Sequence, residues 1–139
     1  MISDRMIKFF NKHHLLTLAT CCNNRPWCCQ CFYVFIEHLC GLAIASDAAT
    51  RHISEAMQQP YVAASIALET SVVNKLQGMQ IEGKLIEAEG KLLKEIKIEY
   101  LKRFPYATLI NTKYWFLELY TIKMTDNRLG FGKKLYWKK

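Results

Sequence analysis

LCGLAIASDAATRHISEAMQQP, residues 39–60, decides how the chain is read. It opens as an apolar strand, Leu39–Ser46, and closes as a short helix that Pro60 must stop, because the residue before a proline is disfavoured in the α region. Between the two, Ser46, Asp47, Thr50, Arg51 and His52 crowd into seven positions. Thr50 suits a helix N-cap, and Ile53, Ala56 and Met57 share one helical face. A strand end, small residues (Ala48, Ala49) and a helix start describe an anion cradle. The first helix amides lack internal partners and carry partial positive charge. Ser46 and Thr50 add hydroxyls, Arg51 a planar fork and His52 a donor that charges beside a dianion. The most natural occupant is a phosphate monoester. In the plainer alternative Thr50 only caps the helix, Arg51 pairs with Asp47, and His52 lies in solvent.

Outward from this stretch the pattern is β-rich. Residues 13–22 (HHLLTLATCC) and 27–36 (WCCQCFYVFI) flank Asn23–Pro26 and read as a hairpin. Residues 61–68 form strand four. Residues 76–90 form strand five, with Gly78 and Gly83 as bulge or bend positions. Residues 113–124 form strand six, and KKLYW at 133–137 is a candidate last strand. Helices are expected over 3–12, with Ser3 as N-cap, and over 91–104, ended by Pro105. Strands mostly follow one another directly, with no βαβ alternation. The expected fold is therefore mainly β with helices (α+β), its antiparallel sheet closed into a barrel of about six strands. A chain of 139 residues with 51% hydrophobic and 22% charged side chains is predicted to be one domain, 1–139. It has no membrane-length apolar run and no apolar leader in MISDRMIKFFNK, so a cytoplasmic protein is expected.

Six cysteines, at 21, 22, 28, 29, 31 and 40, fall in strand-like sequence and read as small buried hydrophobes rather than a disulfide framework. Cys28 and Cys31 spell C-x-x-C, yet positions i and i+3 of a strand point to opposite faces, so no metal site is predicted. Net charge is +7, and seven Lys or Arg against Glu118 and Asp126 concentrate it in residues 113–139. No nucleic-acid-binding motif accompanies that charge, and a solvated lysine-rich edge is the expectation. Tyr33, Phe35, Tyr114, Trp115, Phe116 and Tyr120 read as strand core. Glu82 and Glu118 have no partner carboxylate, and no G-x-S-x-G, H-E-x-x-H, Walker or G-x-G-x-x-G pattern occurs.

The order of hairpin, G-L-A-I-A-S, T-R-H, short helix, Q-P, strand and Q-G-x-x-x-x-G resembles the FMN-binding split-barrel superfamily over about residues 13–125. Ala49-Thr50-Arg51-His52, Arg103-Phe104-Pro105 and the tail Thr125 to Lys134, with Trp137 behind it, resemble that superfamily's uncharacterised YhbP-like branch. The resemblance implies a six-stranded antiparallel split β-barrel with short flanking helices, acting as a homodimer with flavin at the subunit interface. It implies that Cys29, Gln30, Cys31 and Phe32 pass along the isoalloxazine and ribityl chain. It implies that Ala45, Ser46, Thr50, Arg51 and His52 hold the phosphate. The implied protein is an FMN-binding oxidoreductase acting on a nicotinamide or small organic substrate, with no catalytic side chain assigned. The chain departs from the oxidase pattern at Cys29, where arginine is usual, and at Gly78, where glutamine is. The alternative is a non-catalytic flavin- or haem-binding sensor, with His13, His14, His38 and His52 as the candidate haem ligands.

Overall fold

The computed structural model describes residues 1–139. Helix α1 (Asp4–Lys12) leads into β1 (Leu15–Cys22) and β2 (Arg25–Ile36). Then come β3 (Gly41–Ser46), α2 (Arg51–Gln58), β4 (Tyr61–Ala67), β5 (Gln77–Glu87), α3 (Gly90–Arg103), β6 (Lys113–Asp126) and β7 (Lys134–Lys138). All pairings are antiparallel. The ladder runs β3-β2-β1-β4-β5-β6, and a further β3–β6 pairing returns it to its start. Six strands therefore close on themselves, as the expected barrel requires. The β1–β4 seam is the shortest, with three paired positions at Thr17–Ala19.

The seventh strand extends rather than widens the barrel. Along one edge of β6, Lys113–Glu118 pair with β3 and Thr121–Thr125 pair with β7. The two-residue turn at Asn23–Asn24 holds both residues at positive φ, 52° and 59°, with Cys22 opposite Arg25. This is the primed hairpin geometry that asparagine tolerates, and it is tighter than the four-residue turn expected from Asn23–Pro26. His13 and His14 stand before β1 rather than in it, and Leu39 and Cys40 belong to the turn before β3.

Of the two glycines expected to break β5, one does. Between Glu82 and Gly83 the register shifts, so that Gly83 faces Leu119 and Tyr120 is the extra residue. Gly78 sits in regular ladder between Ala67 and Thr125.

Burial alternates cleanly along β4, as a strand with one wet face should show. On β6, Tyr114–Leu117 are buried on both faces, because α3 covers the outside. Two cores result. The interior holds Leu16, Leu18, Tyr33, Leu42, Ile44, Ile66, Met79 and Trp115, and α1 and α2 contribute Met6, Phe9, Phe10, Ile53 and Ala56 to it. The outer core packs Ile96, Tyr100 and Phe104 on Val34, Ala43 and Phe116. Met57, expected on the buried face of α2, is exposed, and Glu55 is buried instead. The reason is a polar partner on β1, the buried Thr20 hydroxyl.

Candidate functional site

Strand β3 delivers Ser46 to the barrel rim opposite Lys113, where Trp115 Nε1 donates to the Ser46 carbonyl at 2.9 Å. The chain then turns. Asp47 Oδ1 accepts from the Ala49 amide at 2.7 Å, and the Thr50 hydroxyl donates to the Asp47 carbonyl at 2.8 Å. Thr50 takes the N-cap position of α2 as expected, yet its side chain bonds no helix amide. The start of α2 is thus left without a side-chain acceptor.

Next to it lies His52. Its Nε2 is 2.7 Å from Ser46 Oγ and 3.3 Å from Thr50 Oγ1. Burial holds its pKa below the usual histidine value, so the free ring is neutral at pH 7. Its ring also meets Cys29 and Cys31. These cysteines alternate with exposed neighbours on β2, and their Sγ atoms are 3.7 Å apart. Ligand atoms of Cys29, Cys31 and His52 all lie within 4.8 Å of one another. The hydrogen bond between the thiols lowers the pKa of Cys29; for Cys31 that bond and burial raise it.

Arg51 does not take the partner that the plainer alternative gives it. It pairs with Glu55, one helical turn on, at 2.8 Å and not with Asp47. Its guanidinium also lies 4.1 Å from the Trp27 ring centroid. Glu55 is only 9% exposed, and its other carboxylate oxygen accepts from the buried Thr20 hydroxyl at 2.8 Å. The Arg51 bond, then the Thr20 bond, hold this carboxyl below the usual range. Only Nε of Arg51 is used; the Nη groups have no partner and the side chain is 48% exposed. They border an open depression with Cys22, Asn23, Arg25 and Gln58.

Of the nine residues expected to line a flavin site, five converge: Cys29, Cys31, Ser46, Thr50 and His52. Arg51 adjoins them on the side of Trp27. Gln30 and Phe32 sit at alternate positions of β2 and are exposed, Phe32 tilted against Phe104. Ala45 packs with the outer core beneath α3. Cys28 is exposed while Cys31 is buried, as the alternation of a strand requires. Glu55, Thr20 and Trp27 were not foreseen. The i,i+4 spacing of Arg51 and Glu55 was readable as an ion pair; Thr20 and Trp27 reach α2 only through the fold.

The other histidines lie elsewhere. His38 pairs with Glu95 on the surface. His14 meets Phe104 edge-on, and His13 packs against Phe9 at 4.2 Å between ring centroids. His13 Nε2 is a buried polar atom with no hydrogen-bond partner.

No protein-family model matches the chain. Solved structures match it in shape. A haem-binding protein from Mycobacterium smegmatis superposes with a TM-score of 0.78 at 15% identity over 92% of this chain. The match covers 54% of that protein, so this chain spans about half its length. The haem-storage protein HutZ from Vibrio cholerae gives 0.72 at 15% identity, over 85% of this chain and 89% of that one. A FAD-binding protein from Mesorhizobium loti gives 0.70 at 10%, over 86% and 89%. At such identities the likeness is one of fold. Sequence relatives are nearer. A UPF0306 protein of Photorhabdus laumondii is 36% identical over 132 residues, 95% of this chain and 92% of its own. Another, from Yersinia pestis, is 35% identical over 130 residues, 94% and 88%. On that evidence the chain belongs to the UPF0306 family.

Proposed function

We propose that this protein binds FMN at the rim where β3 gives way to α2. We read it as a cytoplasmic, one-domain homodimer of the YhbP-like branch of the FMN-binding split barrels. The observation that carries the reading is the open start of α2. Thr50 holds the cap position but spends its hydroxyl on Asp47, so the helix amides keep no side-chain acceptor. A phosphate is the group such a terminus accepts.

The donors around it suit the phosphate end of a flavin. Ser46 and Thr50 both bond His52 Nε2, and all three can exchange those bonds for phosphate oxygens. Arg51 retains its Nη groups for the same purpose. At the ring end the inward-facing Cys29 and Cys31 offer small, polarisable contacts rather than charge. Bound flavin would supply hydride chemistry toward a nicotinamide or small organic substrate, and the chain's own part is to grip and orient.

A haem reading has one observation of its own. His13 Nε2 is buried without a partner. Burial first, then Lys12, His14 and Arg103, lower its pKa, so the ring is a neutral donor at pH 7. The haem-binding and haem-storage proteins of similar fold agree with it.

Separate titrations of the apoprotein with FMN and with haemin decide between them. For FMN, Arg51→Ala should weaken binding by about 1.5 kcal/mol, the low end for a charge-assisted hydrogen bond, since Glu55 already offsets part of the Arg51 charge. His13→Ala should leave FMN affinity unchanged. No FMN binding, with a Soret shift that disappears in His13→Ala, replaces flavin by haem.

A further inference from the structure

We infer that Cys29, Cys31 and His52 form a site for a thiophilic d10 cation of the Zn2+ class, with its fourth position open to solvent or ligand. The inference does not rest on the flavin reading, although both use Cys29, Cys31, Ser46 and His52. It begins with the alternation of β2. The C-x-x-C pair, Cys28 and Cys31, is split across the strand, but the C-x-C pair, Cys29 and Cys31, shares the inward face. Opposite them on β1 stand Leu18 and Leu16, both fully buried. The start of α2 then brings in His52.

The distances suit the ion. Tetrahedral zinc with bonds of about 2.3 Å to sulfur holds two sulfurs about 3.8 Å apart. The Cys29 and Cys31 Sγ atoms are 3.7 Å apart before any ion is added. Bonds of about 2.0–2.1 Å to a histidine nitrogen put that nitrogen about 3.6 Å from each sulfur. The three ligand atoms already lie within 4.8 Å of one another, so closure asks for a shift on the order of 1 Å of side chain. Nε2 is the nitrogen that contacts Ser46 Oγ, at 2.7 Å, and Nδ1 makes no hydrogen bond, so Nδ1 is the nitrogen left to ligate while the Ser46 hydroxyl fixes ring and tautomer.

Two thiolates balance a divalent ion, so no net charge is buried. The donor set is soft, with no carboxylate, which favours zinc-like ions over Mg2+ or Ca2+. Packing as small hydrophobes explains the buried Cys31. It does not explain why half-buried Cys29 and His52 turn to the same point.

The experiment uses the full chain, reduced and metal-free, with no flavin present. One equivalent of Co2+ should give thiolate-to-cobalt charge-transfer absorption, bleached by one equivalent of Zn2+. Cys29→Ser should weaken Co2+ binding by more than about 100-fold, beyond the 10–100-fold typical of losing a supporting group. Ser46→Ala should cost about tenfold. Cys28→Ser, on the outer face, should change nothing. His52→Gln repeats the ligand test if Cys29→Ser does not fold. A wild-type titration without charge-transfer absorption overturns the inference. So does absorption that survives both Cys29→Ser and His52→Gln, or that Cys28→Ser abolishes. A failed FMN titration leaves these readings untouched.

Discussion

Replacing Gly83 by alanine tests whether the β5–β6 bulge is a built feature of the barrel. A Cβ at Gly83 would lie 2.1 Å from the Glu118 carbonyl oxygen and 3.0 Å from Leu117 Cδ1. Carbon and carbonyl oxygen normally approach to about 3.3 Å, so the overlap is about 1.2 Å. The obstructing atom belongs to the backbone and cannot rotate away. Relief requires β5 and β6 to part at the point where Lys84 pairs with Glu118. Overpacking costs about 1–3 kcal/mol. One or two weakened ladder hydrogen bonds add about 1 kcal/mol each, and the loss of unfolded-chain entropy returns about 0.4–1. The expected destabilisation is about 3 kcal/mol. With a urea slope of about 1.5–2 kcal/mol per M, the midpoint should fall by about 1.5–2 M. Gly78→Ala is the control. Its Cβ meets nothing nearer than the Ile66 carbonyl oxygen at 3.4 Å, so its midpoint should stay within about 0.5 M of wild type. Equal midpoints for the two variants would refute the reasoning.

Three further outcomes are expected. Thr20→Val removes the buried hydroxyl that Glu55 accepts from, and should cost about 1.5–3 kcal/mol by urea denaturation, as bonds to charged groups do; a change below about 0.5 kcal/mol would mean that Glu55 is satisfied without it. Tyr33→Phe deletes a hydroxyl that donates to the Phe10 carbonyl at 2.8 Å at the end of α1, and should cost about 1 kcal/mol; a neutral result would show that water replaces it. Both His13 and His52 have depressed pKa values from burial, so below the unfolded value of 6.5 the unfolded chain binds protons that the folded one refuses. Stability should therefore fall as pH drops from 7.5 to 5.5, and the double variant His13→Gln/His52→Gln should lose part of that dependence; an identical pH profile would remove both rings from the cause.

How much of this was legible in the sequence depends on whether the signal was local. Ser3 caps α1, with Oγ accepting from the Met6 amide, and the helices around Ile53 and Ile96 fall where their spacing put them. Barrel closure was legible as strands following one another, but the half-and-half sharing of β6 between β3 and β7 was not, since nothing local distinguishes its two ends. Gly78 and Gly83 look alike in sequence; only the partner strand tells them apart. At the site, Ser46, Thr50 and His52 converge because a strand end and a helix start must be neighbours. Arg51 went to Glu55, since Thr20 gives that carboxylate a buried anchor across 35 positions of chain. Strand alternation separates Cys28 from Cys31 and puts Cys29 and Cys31 on one face, both readable along β2, whereas the approach of His52 to that face comes only through the fold.

The central claim is recognition of a phosphate at the open start of α2. Its most direct measurement compares FMN with riboflavin, the same ring system without the phosphate, on one preparation of apoprotein. Two charge-assisted hydrogen bonds at about 1.5 kcal/mol each predict that FMN binds on the order of 100-fold tighter. Equal affinity for the two would contradict the claim.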